Sequence, residues 1–303
     1  MNVRIVFMGS PEFALPTLKG LNENYELAGV VTQPDRPAGR GRVLTPPPVK
    51  TTAQAYGIPV IQPRRLKEPE AMEQLRQWNP DLIVVAAFGQ ILRPEALELP
   101  RYGCINVHAS LLPRWRGAAP IQAAILHGDE QTGVTIMKMD PGMDTGPILS
   151  QRAIPISPDD TAGSLSPRLA QLGAELLLET LPVFLEGSLQ PESQDDEQAT
   201  YAPMLKKEDG KLDFTQPAAA LARRVRAFNP WPGAFITWEN NRLIIHKAHA
   251  VDAPSPGPGE RLAYKSYPAV GSCDGILVLD EVQPAGKRAM PGDVFLNGAK
   301  GWA

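Results

Sequence analysis

Apolar positions along the chain fall into short blocks whose spacing changes with the element each implies. Residues 3–8 (V-R-I-V-F-M) form the first block, and Gly9-Ser10-Pro11-Glu12 ends it. Serine followed by proline is a helix-start signal, which predicts a helix capped by Ser10 with Pro11 at its first position. Residues 27–31 make a second strand, so the two strands and the helix between them read as a βαβ unit with a parallel sheet. Residues 59–61 are a further short strand. Residues 81–88 (D-L-I-V-V-A-A-F) are apolar almost without interruption, as expected of a central strand covered on both faces. At residues 105–108 the pattern alternates, with Ile105 and Val107 on one face and Asn106 and His108 on the other. Strands at 134–139 and 148–156 follow. Over residues 161–187 the period lengthens to that of a helix, with Leu165, Leu169, Leu172, Leu176, Leu177 and Leu181 in one apolar stripe.

The pattern then changes character. Residues 188–209 are polar and acidic, and beyond them a helix at 217–228 precedes short β-like runs at 234–238, 243–248, 261–263, 269–270 and 276–282. Short strands separated by Gly, Pro and Asn turns indicate a small barrel or sandwich. A chain of 303 residues suits two domains. The expected division is a first domain at 1–188, a linker at 189–209 and a second domain at 210–303.

Composition narrows the function classes. At 43% hydrophobic and 21% charged the chain reads as globular, and no leader or membrane-length apolar run is seen. The two cysteines, Cys104 and Cys273, match no metal-ligand or disulfide spacing, so a reducing, cytoplasmic setting is expected. A net charge of −3 carries no global nucleic-acid signal, so any such contact must come from local basic clusters. Proline, at 32 residues, gathers in loops and stiffens them. The turn after the first strand lacks G-x-G-x-x-G, which argues against a nicotinamide or flavin site. Residues 34–50 form a long Pro/Gly loop carrying Arg36, Arg40 and Arg42, and it reads either as a solvated loop or as an arm that closes on phosphates.

The densest chemistry lies between Cys104 and Thr145. Asn106 and His108 stand on one face near the carboxyl end of a strand, where open α/β sheets place their sites. Asp144 sits in the glycine-flanked run D-P-G-M-D-T-G. A lone strand histidine is commonly structural, but an amide, an imidazole and a carboxylate converging on one point suit acyl transfer to an amine. Asn106 and His108 would stabilise a tetrahedral oxyanion, and Asp144 would orient His108 and help remove the amine proton. The triplet Asp144-Thr145-Gly146 copies that of aspartic proteases, but no second copy supplies the paired carboxylate. No zinc spacing or G-x-S-x-G elbow is present, and no metal is expected.

These residues carry a family resemblance. N-V-H-A-S-L-L-P-R-W-R-G-A-A-P-I, then T-G-V-T-I-M and D-P-G-M-D-T-G, resembles the 10-formyltetrahydrofolate-dependent formyltransferases. V-T-Q-P-D-R-P-A-G-R-G and R-A-F-N-P-W-P-G-A are similar to the members that act on methionyl initiator tRNA. The resemblance implies an α/β fold with an open, mostly parallel, Rossmann-like N-terminal sheet and a C-terminal OB-like β-barrel. It implies a catalytic trio of Asn106, His108 and Asp144, and folate contacts at Ser110, Leu111, Leu112 and Pro113. The co-substrate would be 10-formyltetrahydrofolate, the formyl donor. The partner would be methionyl initiator tRNA, held by Arg36, Arg40, Arg42, Lys206, Lys207 and Arg223, with no membrane association and a monomeric chain. Arg224 and Arg226 join the basic candidates, although Arg223 and Arg226 are also placed to form ion pairs within their own domain. The competing expectations are formylation of an amino-sugar nucleotide, and a folate- or RNA-binding module without turnover.

Overall fold

The computed structural model describes residues 3–38, 41 and 43–302. In chain order the elements begin with β1 (Arg4–Gly9), α1 (Leu15–Asn24), β2 (Glu26–Val31), β3 (Arg36–Ala38), β4 (Val43–Thr45), α2 (Pro48–Ala55) and β5 (Val60–Ile61). Then come α3 (Pro69–Trp78), β6 (Leu82–Ala86), α4 (Pro94–Leu97), β7 (Cys104–His108), β8 (Arg116–Gly117), α5 (Pro120–His127), β9 (Gln131–Lys138), β10 (Ile148–Pro155), α6 (Ala162–Leu185) and β11 (Tyr201–Ala202). The last part holds α7 (Ala218–Ala227), β12 (Ala234–Trp238), β13 (Asn241–Val251), β14 (Arg261–Tyr264), β15 (Tyr267–Gly271), β16 (Ile276–Gln283), β17 (Met290–Pro291) and α8 (Gly292–Gly298). The residues divide into two compact units. The first contains Met1–Pro120, Thr132–Ile154 and Ser166–Ala202; the second contains Ile121–Gln131, Pro155–Leu165 and Pro203–Ala303.

The first unit is built on a seven-stranded sheet in the order β10-β9-β7-β6-β1-β2-β5. β1 pairs in parallel with β2 and β6, and β6 in parallel with β7. β9 runs antiparallel to β7, with His108 opposite Thr135 and Asn106 opposite Met137. The sheet is therefore mostly parallel, and the chain reverses its winding beside β1, the position at which such sheets open a crevice. β1 and β6 are buried along almost their whole length, because helices cover both faces. Glycine permits two of the closest contacts. A Cβ on Gly29 of β2 would lie 2.5 Å from the Trp78 indole of α3, and one on Gly173 of α6 would lie 2.6 Å from Val107 of β7. The leucine stripe is confirmed, with Leu169, Leu176, Leu177 and Leu181 buried, while Leu172 is only half-buried.

Two local expectations need correction. Ser10 caps no helix: a 3-10 turn at Glu12–Ala14 precedes α1, with Pro11 at the cap. The Ser10 hydroxyl oxygen instead accepts hydrogen bonds from the Gln33 backbone (3.1 Å) and from Thr32 Oγ1 (3.2 Å), fastening β1 to the end of β2. The long loop at 34–50 is also more structured than its composition suggests. β3 and β4 form a hairpin, and Pro48–Lys50 already belong to α2. The hairpin rises from a polar clamp in which Asp35 accepts hydrogen bonds from Lys50 Nζ (2.8 Å) and Gln62 Nε2 (2.6 Å). The Gln62 bond, then the Lys50 bond, holds the Asp35 carboxyl below its ordinary pKa.

The second unit is a curled antiparallel sheet of OB-like topology, in the order β12-β13-β16-β15-β14 with β17 against β16. Two of its hairpins are closed by two-residue turns, Glu239-Asn240 and Lys265-Ser266, whose residues all have positive φ. Such turns match the right-handed twist of the flanking strands. The sheet curls far enough for Arg261 of β14 to donate to the Thr237 carbonyl of β12 at 3.0 Å. Trp238, Phe295 and Trp302 pack edge to face inside, with Phe295 centroids 5.0 Å from Trp238 and 5.5 Å from Trp302. Asp274 accepts the first N–H of α7, from Ala218, at 2.9 Å. That bond lowers the Asp274 pKa, as a carboxylate at a helix N-terminus should. Among the described residues no helix is long and apolar enough to cross a membrane.

Candidate active site

The parallel sheet delivers Asn106 and His108 to one face of β7, and the loop after β9 brings Asp144 to meet them. Asn106 Nδ2 donates to Asp144 Oδ1 at 3.3 Å. His108 Nδ1 faces Asp144 Oδ2 at 3.6 Å, too long for a hydrogen bond. The His108 Nε2 atom lies 3.0 Å from the Trp115 carbonyl. Asp144 Oδ2 also accepts the Gly117 backbone N–H at 2.9 Å, so each carboxylate oxygen has its own donor. His108 is buried, whereas Asn106 and Asp144 are half-buried. The trio thus borders solvent with the Asp144 carboxylate already held by two donors. Asp144 has φ 54°, a left-handed conformation that a non-glycine residue holds only when its surroundings impose it.

The loop beneath Asp144 is tight. Asp140 Oδ1 accepts from Gly142 N (3.1 Å) and Thr145 Oγ1 (2.7 Å). A Cβ on Gly146 would lie 1.9 Å from the Lys138 carbonyl oxygen, so the chain returns against the end of β9 at a distance only glycine allows. The turn after β7 is equally committed. Ser110 Oγ donates to the Arg114 carbonyl (2.6 Å), and Thr135 Oγ1 donates to the Ser110 carbonyl (2.7 Å). Leu112 N donates to Thr135 Oγ1 (3.1 Å), while the Leu112 carbonyl accepts from Gln151 Nε2 (2.7 Å). The Leu112–Pro113 peptide is cis. Chemically, this is a directed amide, an imidazole and a carboxylate at the end of a parallel strand. It suits attack of an amine on an acyl carbon.

Residues 1–181 match the formyl transferase family, and residues 204–300 match the formyl transferase C-terminal domain. The methionyl-tRNA formyltransferase of Myxococcus xanthus is 52% identical over 298 residues, which cover 98% of this chain and 95% of that protein. The chain belongs to the methionyl-tRNA formyltransferase family. Among solved structures, HypX from Aquifex aeolicus in complex with tetrahydrofolic acid aligns with a TM-score of 0.65 at 19% identity, over 99% of this chain and 48% of that one. This chain therefore spans about half the length of HypX. The methionyl-tRNA formyltransferase from Clostridium thermocellum aligns with a TM-score of 0.58 at 18% identity, over 93% of this chain and 98% of that one. At such identities the two structures speak for the fold alone.

Against that family background, the expected folate segment 110–113 forms the turn directly beyond His108. Ser110 and Leu112 are buried, and Leu111 and Pro113 are half-buried. The Ser110 hydroxyl is spent within the turn, so it shapes the segment rather than offering a free hydroxyl. Arg36 is exposed on the β3–β4 hairpin and donates to Gln33 Oε1 at 3.1 Å. Arg40 and Arg42 lie outside the described residues. In the second unit Lys206 and Lys207 are exposed. The three arginines of α7 are half-buried, and each donates to a main-chain carbonyl. Arg223 donates to Leu126 (3.2 Å), Arg224 to Asp209 (3.0 Å) and Arg226 to Asp160 (2.9 Å). Burial works against the Arg226 charge and lowers its pKa.

Sequence reasoning missed the residues behind the trio. Gln194 lies in the acidic stretch expected as a linker, yet its Nε2 donates to the carbonyls of Asp144 (2.8 Å) and Gly146 (2.7 Å). Arg116 is almost completely buried and donates to Gln194 Oε1 (3.0 Å) and Asp196 Oδ1 (2.8 Å). β8 and β11 pair in parallel, and Trp115 N donates to Thr200 Oγ1 at 2.9 Å, which sews residues 194–202 into the first unit. Nothing in a polar, acidic run announces such a role. The one signal was Arg116 itself, lying between Trp115 and Gly117 in the segment that carries the resemblance. At the start of β7, burial pushes the Cys104 thiol up to about 12, with Lys138 acting weakly in the other direction. Among the described residues no cluster of His, Cys, Asp and Glu is placed to hold a metal ion.

Proposed function

We propose that this chain transfers the formyl group of 10-formyltetrahydrofolate to the free amino group of methionyl initiator tRNA, giving N-formylmethionyl-tRNA. The observation that carries the reading is the meeting of Asn106, His108 and Asp144 at the end of β7, beside the 110–113 turn, in a chain of this family. The amine lone pair attacks the formyl carbon, and the carbonyl electron pair moves onto oxygen. Asn106 Nδ2–H and the His108 imidazole stabilise that oxyanion, an effect typically worth about 10²–10³ in rate per donor. Asp144 takes the amine proton, directly or through a water, and holds the Asn106 amide in place. Collapse of the intermediate breaks the bond to the folate nitrogen, which leaves with a proton as tetrahydrofolate.

In this reading residues 1–188 carry the chemistry and 210–303 hold the tRNA. The connection at 189–209 lends its first part, through Gln194 and Thr200, to the catalytic unit. The folate rests on Ser110, Leu111, Leu112 and Pro113. The acceptor end of the tRNA meets Arg36, Arg40 and Arg42, while Lys206, Lys207 and Arg223 support its backbone. The enzyme works as a monomer in the cytoplasm and requires no metal. The test is incubation of the purified protein with 10-formyltetrahydrofolate and methionyl initiator tRNA, followed by acid-gel separation of the charged tRNAs. A formylated product that vanishes with His108→Ala supports the reading. A folded protein that yields none, or that formylates an amino-sugar nucleotide instead, overturns it.

A further inference from the structure

We propose that Gln194 and Arg116 are positioning residues for the reaction: the Gln194 amide, oriented by the buried Arg116 guanidinium, holds the Asp144 turn so that its carboxylate meets Asn106 and His108. The inference rests on the formyl-transfer reading above.

A glutamine amide can bond in either orientation, and its surroundings decide which. Here a guanidinium, which only donates, lies 3.0 Å from Oε1 and fixes the oxygen on that side. Nε2 is thereby turned toward the Asp144 turn, where both its hydrogens find carbonyls, at 2.8 and 2.7 Å. These two carbonyls flank Thr145, so one side chain grips the turn at both ends. The grip has something to oppose, because Asp144 sits at φ 54°.

Arg116 is placed for this task and for little else. Only 1% of its surface is exposed, and its charge is met by Asp196, whose side chain is 82% exposed. A buried cation is costly unless its hydrogen bonds are satisfied, and here two of them go to residues 194 and 196. The next residue completes the arrangement, since Gly117 N–H donates to Asp144 Oδ2 at 2.9 Å. A Cβ on Gly117 would lie 2.6 Å from the Ala202 carbonyl oxygen, so this backbone is pressed against β11 and cannot drift. Residues 116 and 117 therefore act on Asp144 twice, through Gln194 on its main chain and directly on its carboxylate. A clasp that merely fastened residues 188–202 to the sheet would not need to end on the catalytic carboxylate.

The experiment is a double-mutant cycle on the full chain, with Gln194→Ala, Gln194→Glu and Arg116→Lys made in the native and Asp144→Asn backgrounds. Gln194→Glu keeps the reach and an ion pair with Arg116 but presents an oxygen to two carbonyl oxygens. In the native background kcat is expected to fall by about a hundredfold, the usual consequence of a displacement near 1 Å, with KM for both substrates little changed. Arg116→Lys, which retains one donor, should lose less. In the Asp144→Asn background the same substitutions should cost almost nothing more, because the group they position is already lost. Thermal unfolding of every variant separates misplacement from loss of stability. Losses that multiply in full across the two backgrounds, kcat that simply tracks Tm, or a raised KM at unchanged kcat would each overturn the inference. Should Gln194→Glu fail to fold, Gln194→Ala completes the same cycle. A wild-type protein without formyl transfer defeats the functional reading and this inference together; an active wild type with additive variants defeats this inference alone.

Discussion

Replacing Gly146 with alanine tests how closely the site depends on its backbone. The new Cβ would lie 1.9 Å from the Lys138 carbonyl oxygen, and ordinary contact begins at 3.4 Å, so something must move by about 1.5 Å. Lys138 is held in β9 by pairing with β7, opposite Ile105, and its neighbour Met137 pairs with Asn106. The sheet is the stiffer partner, so the displacement falls on the 140–146 loop and carries Asp144 away from Asn106 and His108. Misplacing a catalytic group by about 1 Å costs on the order of a hundredfold in rate, and overpacking a close contact costs about 1–3 kcal/mol of stability. Steady-state formylation kinetics should therefore show kcat reduced about a hundredfold with KM for 10-formyltetrahydrofolate nearly intact. Gly298→Ala is the control, since its Cβ would meet nothing within 4 Å. Wild-type kcat and Tm in Gly146→Ala would refute the claim that the turn is built against β9.

Four further outcomes are expected. Gly29→Ala drives a methyl into the Trp78 indole and should lower stability by about 1–3 kcal/mol in urea unfolding with little change in kcat; an unchanged midpoint would mean that α3 does not press on β2 there. Native protein should expose one reactive thiol, Cys273, to a disulfide reagent at neutral pH, with Cys104 reacting only on unfolding. Because the Cys104 pKa is raised from 9.0 to about 12 in the folded state, its contribution is fully present below 9.0 and is lost as pH rises toward about 12, which alkaline unfolding of Cys104→Ser would fail to show. Asp35→Asn should loosen the base of the β3–β4 hairpin by freeing Lys50 and Gln62, raising KM for tRNA several-fold while KM for folate stays put; equal changes in both would place the hairpin elsewhere in the mechanism.

The trio was legible because its parts obey short-range rules. Strand alternation places Asn106 and His108 on one face, and glycines around Asp144 mark a tight loop. The central strands were legible for a related reason, since near-continuous apolar runs occur only where both faces are covered. Helices α2 and α3 were not recognised, because proline-rich flanks masked one and three charged side chains diluted the apolar spacing of the other. Ser10 was assigned to the wrong partner for a simpler reason. A serine before proline is a good helix cap in isolation, but here the end of β2 offers its hydroxyl a closer role.

The sequence by itself determined the period of each element, the change from helix-flanked strands to a barrel-like sheet, and the chemical types at the end of β7. Those follow from backbone geometry and from residues a few positions apart. Only the tertiary structure decided that the α7 arginines bond to main-chain carbonyls. It alone decided that His108 meets the Trp115 carbonyl, and that Gln194 reaches back across 50 positions to the Asp144 turn. A polar side chain pairs with whatever donor or acceptor folding brings within about 3 Å, and that neighbour is set by strand order and loop closure rather than by local pattern. Residue type announced the chemistry of this site; long-range contact decides how firmly it is held.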